Sequence, residues 1–221
     1  MQGMRPEGGR RVTDRIRLTI PPAAVSHYFI RRRPRDKVIF AARGAMLPRY
    51  LRRGDWDRGL PLVQEHPVYQ LMAAFVRHDF DPERCRAPLV TYYVARGEEQ
   101  ARARAHAERR LVSYLAAYRS LYEDMREHGY RAEASEDQVG VAIDRGGCFV
   151  KVAEGHHRFA LAHLLGLKRI TAELRFVHWR WYRLFAPRLM VPSRTALTAA
   201  VDAAVARVSG DPLSGMSDAR D

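Results

Sequence analysis

The stretch from residue 138 to 179 constrains the fold more than any other part of the chain. Two β-rich runs, "VGVAI" and "CFVKV", flank the tetrapeptide "DRGG". Glycines tolerate the positive φ angles of tight turns, so this pattern predicts a β-hairpin. A helical pattern from Phe159 to Leu165 stops at Gly166, and "RITAELRFVHW" follows as a further strand. The order hairpin, helix, strand predicts an α+β fold, with helices packed around a small mixed sheet.

Apolar residues at helical spacing predict two helices before the hairpin. In "EHPVYQLMAAFVRH" the residues of one face are Val68, Leu71, Met72, Phe75 and Val76. The longest regular segment covers residues 98–128, and Gly129 supplies its C-terminal stop. Its apolar stripe consists of Leu111, Tyr114, Leu115, Tyr118, Leu121, Tyr122 and Met125. We therefore expect a helical insertion at residues 62–128 that contains an inserted long helix.

The other segments complete the predicted domain organisation. The run "RIRLTIPP" alternates apolar and polar residues as a half-buried strand does, and "KVIFAA" is a second candidate strand. We expect a single domain at residues 13–185, followed by a C-terminal helix at 186–208 that begins with a proline and a serine cap. Residues 1–12 and 209–221 are expected to be disordered.

The composition limits the compartment and the partners. The formal net charge of +13 favours an anionic ligand, nucleic acid or a membrane surface, or it reflects only a basic, solvated surface. The two cysteines, Cys85 and Cys148, lie far apart and indicate neither a disulfide framework nor a zinc site. Neither a membrane helix nor a signal peptide is predicted, so we expect a soluble, cytoplasmic protein.

One strand-to-helix turn concentrates titratable and cationic side chains. Gly155 lets the backbone bend sharply, and the amides that follow belong to the first turn of a helix, where N–H groups and the helix dipole attract anions. Arg158 can hold phosphate oxygens, and His156 and His157 can donate hydrogen bonds. The turn predicts a phosphate site formed by these four residues. The alternative is that the histidines cap the helix and Arg158 pairs with Glu154.

A metal site is not predicted at this turn. Adjacent histidines rarely reach one ion together, and no third ligand lies at a helpful spacing.

The segment "EGHHRFALAHLLGLKRI", preceded by the hairpin "VGVAIDRGGCFVKVA", resembles the signature segment of the ParB/sulfiredoxin superfamily. The resemblance implies a sheet of the ParB/sulfiredoxin type and a nucleotide site whose phosphates lie at the glycine-led turn. Sulfiredoxins carry a cysteine nucleophile in this turn, where this chain has His156. Chromosome-partitioning ParB proteins carry a helix-turn-helix domain afterwards, and here only one Ala-rich helix follows. The most similar variant is the Asp-Gly-His-His-Arg turn of free-serine kinases, with Glu154 replacing the aspartate.

That variant implies a phosphotransferase, a kinase that uses ATP, ADP or CTP with Mg²⁺ to phosphorylate a small hydroxyl compound. Glu154 and His157 would flank the phosphates, and an acidic residue from elsewhere would activate the acceptor. The loop "RRGDWDRG" offers Asp55 and Asp57 as base and magnesium ligand. The same loop could equally be a turn anchored by Trp56 with surface ion pairs. The competing hypotheses are a CTP- or nucleic-acid-binding regulatory module without catalysis, and a scaffold with an inactive site.

The segment "FVHWRWYRLF" at residues 176–185 alternates aromatic and basic residues. Such alternation could stack on a base or rest on a membrane interface. We predict the commoner arrangement, a strand with one buried face and a basic outer face.

Overall fold

The computed structural model describes residues 16–29, 51–135, 137–185 and 194–210. The strands are β1 (Arg17–Ile20), β2 (Val25–Tyr28), β3 (Leu51–Arg52), β4 (Val139–Ile143), β5 (Phe149–Lys151) and β6 (Ile170–His178). The helices are α1 (Pro67–Arg77), α2 (Pro82–Ala95), α3 (Gln100–His128), α4 (His156–Leu164), α5 (Trp179–Phe185) and α6 (Arg194–Ser209). The predicted α+β class with a mixed sheet is confirmed. The predicted disorder at residues 1–12 and from residue 211 onward, the candidate strand "KVIFAA", and the proline and serine before α6 lie outside the described residues. The predicted start of the disordered tail at residue 209 is wrong, because Ser209 is the last residue of α6.

The sheet has the strand order β1-β6-β4-β5-β2, and β3 also pairs with β6. β4 and β5 form the antiparallel hairpin that the sequence predicts. β6 runs parallel to β4 and antiparallel to β1, while β2 runs parallel to β5. Because β5 lies between β4 and β2, the segment that leaves β5 emerges beside the ends of both neighbours.

α4 packs on the sheet against β4, and the helices α1 to α3 pack on α4 and on one another. α1 begins at a proline, and the Nδ1 atom of His66 accepts a hydrogen bond of 3.1 Å from the backbone N–H of Val68. α1 contacts both α2 and α4, and α2 lies along α3. The predicted face of α1 is buried except for Val76, which is partly buried. α3 ends as predicted at Gly129, with φ of 74°.

The opposite face of the sheet carries a smaller apolar cluster. Its buried members are Ala142, Val150, Val152 and Phe176. Phe29, Trp56 and Leu60 are partly buried against them. This face therefore has thinner cover in the described residues than the face beneath the helices.

The strand predicted at residues 176–185 is wrong beyond His178, where α5 begins. Trp181 and Tyr182 are adjacent in sequence, yet both are buried, which a strand with alternating faces does not allow. The Nδ1 atom of His178 accepts a hydrogen bond of 3.0 Å from the backbone N–H of Arg180 and so caps the new helix.

None of the helices in the described part of the chain is both long and apolar enough to span a bilayer.

Candidate functional site

The candidate site is built around the turn between β5 and α4. Glu154 and Gly155 both have φ of 60°, so two successive residues adopt the left-handed conformation. The Nζ atom of the buried Lys151 donates to the carbonyl oxygens of Val152, Ala153 and Glu154. These hydrogen bonds hold three successive carbonyls inward, and the amides of the first turn of α4 follow directly after them.

Gly155 is required by close packing as well as by its backbone angle. A Cβ atom at this position would lie 2.9 Å from both the Cα and the N atoms of Val139. This backbone cannot move aside without displacing β4. Gly155 also has no side chain with which to cap α4. No side chain in the described part of the chain therefore caps the N-terminus of this helix.

A cavity of about 730 Å³ lies beside this helix N-terminus. We call it the first cavity. Its lining comes from α1, α2, α3, the segment before β4 and the turn before α4. The polar and aromatic lining residues are His66, Tyr92, Arg96, Tyr118, Ser135, Asp137, Glu154, His156, His157 and Arg158. The volume lies in the range of small-molecule and cofactor sites.

Three histidines line the first cavity in their neutral form near pH 7. The rings of His66 and His156 stack with centroids 4.6 Å apart, and His157 stacks on Tyr118 at 4.5 Å. Burial and the nearby Lys151 lower the pKa of His66 to about 4 and that of His156 to about 3. Burial and Arg96 lower the pKa of His157 to about 4. Each imidazole can therefore donate one hydrogen bond without carrying a charge.

Arg158 forms part of the cavity wall but is anchored from behind. Its guanidinium donates to the carbonyl oxygen of Arg131 and lies 4.3 Å from the ring centroid of Tyr130. The residue is 7% exposed, and its Nε and Nη1 atoms have no hydrogen-bond partner among the described residues. Arg158 therefore brings positive charge to the helix N-terminus, while one edge of its guanidinium is already engaged.

Several residues of the first cavity were not predicted. His66 precedes α1, Arg96 follows α2, and Asp137 precedes β4. The guanidinium of Arg96 donates to the hydroxyl of Tyr92 at 2.8 Å. No local pattern marks these residues, because they meet the turn only in the tertiary fold.

The predicted acidic residues are separated into two groups. Glu154 lines the first cavity, and its carboxylate pairs with Arg175 of β6. Asp55 and Asp57 lie instead at the loop that joins β4 to β5, at the opposite end of β5 from Gly155. The structure thus gathers Glu154, Gly155, His156, His157 and Arg158 in one place.

Asp55 and Asp57 are both engaged by Arg145. Asp57 accepts hydrogen bonds from the backbone N–H of Arg145 at 2.9 Å and from its guanidinium at 2.6 and 2.8 Å. Asp55 accepts from the same guanidinium at 2.8 Å. The side chain of Asp57 is 1% exposed, and His178 lies 3.8 Å from it. We call these four residues the hairpin network. Neither aspartate reaches the first cavity, so the geometry gives them no part in activating a ligand there.

A second cavity, of about 530 Å³, lies on the other side of the turn. It opens on the thinly covered face of the sheet. Its lining consists of Tyr28, Phe29, Arg52, His66, Val152, Ala153, Glu154, His156, Arg175 and Phe176. His66, Glu154 and His156 also line the first cavity, so the two spaces meet at the turn.

Comparisons with known proteins give no relative: no family model, no curated protein and no solved structure matches this chain. Within the described ranges, no cluster of three or more histidine, cysteine or acidic side chains could hold a metal ion.

Proposed function

We propose that this protein binds a nucleotide in the first cavity and transfers a phosphoryl group from it to a small hydroxyl compound. The observation that carries the proposal is a nucleotide-sized cavity at the uncapped N-terminus of α4, with arginines and neutral histidines around it. We also propose that the chain is a divergent member of the ParB/sulfiredoxin superfamily. The order of hairpin, glycine turn, α4 and β6 supports that assignment.

The phosphates would lie against the first amides of α4. Helix N-termini favour anions because their N–H groups and the dipole point toward the ligand. Arg96 faces the same space and can form charge-assisted hydrogen bonds with phosphate oxygens. Lys151 lies beneath the turn and does not line the first cavity. Burial and Arg175 lower its pKa to about 7, so it adds only part of a positive charge near neutral pH.

The nucleobase would lie against the aromatic part of the first-cavity wall. Tyr92, Tyr118 and Leu121 line that region, and they come from the two long helices of the insertion. Aromatic side chains stack on bases with little regard to base identity. This wall supports a nucleotide over inorganic phosphate, and it leaves ATP, ADP and CTP as the candidates.

Magnesium would enter with the nucleotide. Mg²⁺ is commonly held by one or two carboxylates together with substrate phosphates. Glu154, which pairs with Arg175, supplies one such carboxylate to the first cavity, and the ion would neutralise charge on the phosphate oxygens.

The transfer needs few protein groups. The bond between the terminal phosphorus and the bridging oxygen breaks, and a bond from that phosphorus to the acceptor oxygen forms. The leaving nucleotide keeps the electron pair, and the hydroxyl proton passes to a carboxylate. Asp137 can take that role from its place on the cavity wall, where Asp55 and Asp57 cannot.

Nucleotide binding is tested by thermal shift and isothermal titration with ATP, ADP and CTP in the presence of Mg²⁺. Binding confined to the folded state raises the Tm. We expect Arg96→Gln and His157→Ala to weaken binding by about tenfold each, because each removes a cavity-lining donor. Arg109→Gln, on an exposed part of α3, is the matched control. If no nucleotide changes the Tm, the proposal is wrong.

Binding without catalysis is the second candidate, and the pairing of Glu154 with Arg175 favours it. That carboxylate is engaged by a cation, which leaves fewer acidic groups to activate an acceptor. In that case nucleotide would bind while ADP or AMP release stayed at background with a mixture of hydroxyl compounds. A CTP-linked regulatory module could also use the +13 charge to hold nucleic acid. A salt-dependent gel shift, retained in Arg96→Gln, would support that role.

A further inference from the structure

The long helix α3 carries opposite charges at the two ends of its exposed side. Its inner side packs on α2 and α4. On the opposite side, exposed residues follow one another at intervals of three, four or seven positions, which keeps them on one face. They are Arg102 and Arg109 in the first half, Val112 and Ala116 at the centre, and Glu123 and Glu127 in the second half. We call these residues the outer face of α3.

The charges of the outer face have little engagement within the chain. On the flank of the same helix, Arg119 pairs with Asp79 at 3.3 Å. By contrast, the two arginines of the outer face and Glu123 form no ion pair with any residue that the structure describes. Glu127 lies 3.9 Å from the ring of His128, at the limit of an ion pair. These side chains therefore keep their charges available to a partner surface.

The order of these charges does not stabilise α3 itself. A helix dipole favours negative charge near the N-terminus and positive charge near the C-terminus. Arg102 lies in the first turn of α3 and Glu127 in its last turn, so each side chain opposes the dipole. A partner that meets both charges would give this order a favourable role.

The centre of the outer face is apolar. Val112 is 75% exposed, although valine side chains are commonly buried in folded proteins. Ala116 follows one turn later, and its small side chain lets a second helix approach closely. An apolar centre with a charged periphery is the usual composition of a protein–protein interface.

From this arrangement we propose that two copies of the chain associate through the outer face of α3, with the two helices antiparallel about a twofold axis near Val112 and Ala116. Arg102 then faces Glu127 of the second copy, and Arg109 lies within one turn of Glu123 of the second copy. The twofold axis repeats each contact. A parallel pair would place like charges side by side, which is unfavourable.

A second copy fits the outer face better than a polyanion does. Nucleic acid or an anionic membrane would attract the arginine half and repel the glutamate half. An antiparallel copy of the same helix satisfies both halves at once. The pairing also leaves the first cavity open, because Tyr118 and Leu121 line that cavity from the inner side of α3. Self-association is therefore independent of nucleotide binding.

Sedimentation velocity of the full chain over a range of concentrations tests the association. One helix pair forms a small interface, so we expect a reversible monomer–dimer equilibrium in the micromolar range. The dissociation constant should rise about tenfold between about 0.05 M and about 0.5 M salt, because salt screens exposed charges. A chain that stays monomeric throughout would overturn the proposal, and so would a dimer that salt does not affect.

Charge reversal tests the pairing. Arg102→Glu with Arg109→Glu, and separately Glu123→Arg with Glu127→Arg, should each weaken self-association at least about tenfold. Both double variants agree better with the helix dipole, so the monomers should stay folded by circular dichroism. Mixing the two variants should restore the dimer, since opposite charges then face each other again. Two weakly associating variants that do not combine when mixed would overturn the antiparallel pairing.

A control with the same change of net charge separates pairing from overall charge. Lys168→Glu with Arg169→Glu alters two exposed cations in the turn before β6, away from α3, and should leave self-association unchanged. Equal weakening in this control would overturn the proposal. A monomeric wild-type chain whose gel shift with nucleic acid is lost in Arg102→Glu with Arg109→Glu would also overturn it and assign the arginines to a polyanion.

Substitution at the centre tests the position of the axis. Val112→Lys brings two like charges together near the axis and should weaken self-association about tenfold, while the Tm of the monomer stays the same. Leu184→Lys is the matched control, because Leu184 is also 75% exposed but belongs to α5. A dimer that is weakened by Leu184→Lys and not by Val112→Lys would overturn this interface.

Discussion

The two ends of β5 carry similar residues but differ in how those residues are engaged. At the hairpin network, Arg145 binds Asp55 and Asp57, and the carboxylate of Asp57 is fully buried. At the first cavity, two buried nitrogens of Arg158 have no hydrogen-bond partner among the described residues, and the histidines border open space. A ligand can bind only where polar groups are left with capacity. In the sequence, both ends of β5 show the same feature, a cluster of charged residues. The two ends differ in the hydrogen-bond partners that those residues have in the structure.

As the pH is lowered, the first-cavity end of β5 should lose its contribution to stability before the hairpin network does. This is the largest effect that we expect. The pKa values of His66, His156 and His157 are lowered to between about 3 and about 4. The unfolded chain binds protons at these sites near pH 6.5, whereas the folded chain does so only near pH 4. The unfolded state therefore holds more protons between these values. The histidine contribution to the free energy of unfolding should be complete above about pH 7 and be lost steadily toward pH 4.

The hairpin network should respond only at lower pH. Burial raises the pKa of Asp57, but hydrogen bonds from Arg145 outweigh it and the pKa lies below the ordinary value of 3.8. Its stabilising contribution is present above that value and is lost as pH falls further. Urea unfolding at pH 7.5, 6, 5 and 4 checks the order. His156→Gln should flatten the decline, and His128→Gln at the exposed end of α3 should not. A decline that began only below pH 4 would contradict the histidine assignment.

Removing the charge of Asp57 should destabilise the fold without affecting nucleotide binding. Asp57→Asn leaves Arg145 and His178 beside a neutral, buried amide, and we expect a loss of about 3 kcal/mol in the free energy of unfolding. Asp55→Asn is the matched control, because its side chain is 63% exposed and it should have a much smaller effect. Denaturation and nucleotide titration of both variants make the measurement. Loss of nucleotide affinity in folded Asp57→Asn would mean that the two ends are coupled.

The sequence predicted elements whose signals are local. The hairpin follows from "DRGG", the end of α3 from Gly129, and the turn from Gly155, because each depends on backbone conformation within a few residues. α5 was missed because Trp179 and Trp181 alternate with His178 and Arg180 in a pattern that also fits a strand. The burial of both Trp181 and Tyr182, which are adjacent, decides for the helix.

The candidate site was predicted only in part, for the same reason. The residues at 154–158 are contiguous and carry a recognisable pattern. Arg96 and Asp137 reach the first cavity through packing of α2, α3 and α4, which no short pattern encodes. The engagement of Asp57 by Arg145 depends likewise on a contact between residues 88 positions apart. Such partners become visible only when the tertiary fold is known.

The smallest effect that we expect comes from substituting the glycine of the turn at the first cavity. Gly155 and Gly166 have nearly equal φ angles, 60° and 62°, at the start and the end of the same helix. A Cβ atom at Gly166 would meet nothing within 4 Å, whereas one at Gly155 would meet the backbone of Val139. Gly166→Ala should therefore cost about 1 kcal/mol for the left-handed conformation alone. Gly155→Ala should cost about 2 kcal/mol, because the clash adds to the same strain.

Because relief of that clash must shift the turn, nucleotide affinity should fall in Gly155→Ala and stay unchanged in Gly166→Ala. Chemical denaturation and titration of the two variants provide the comparison. Equal costs, with affinity retained in both, would show that the turn tolerates displacement and that its close approach to β4 does not shape the site.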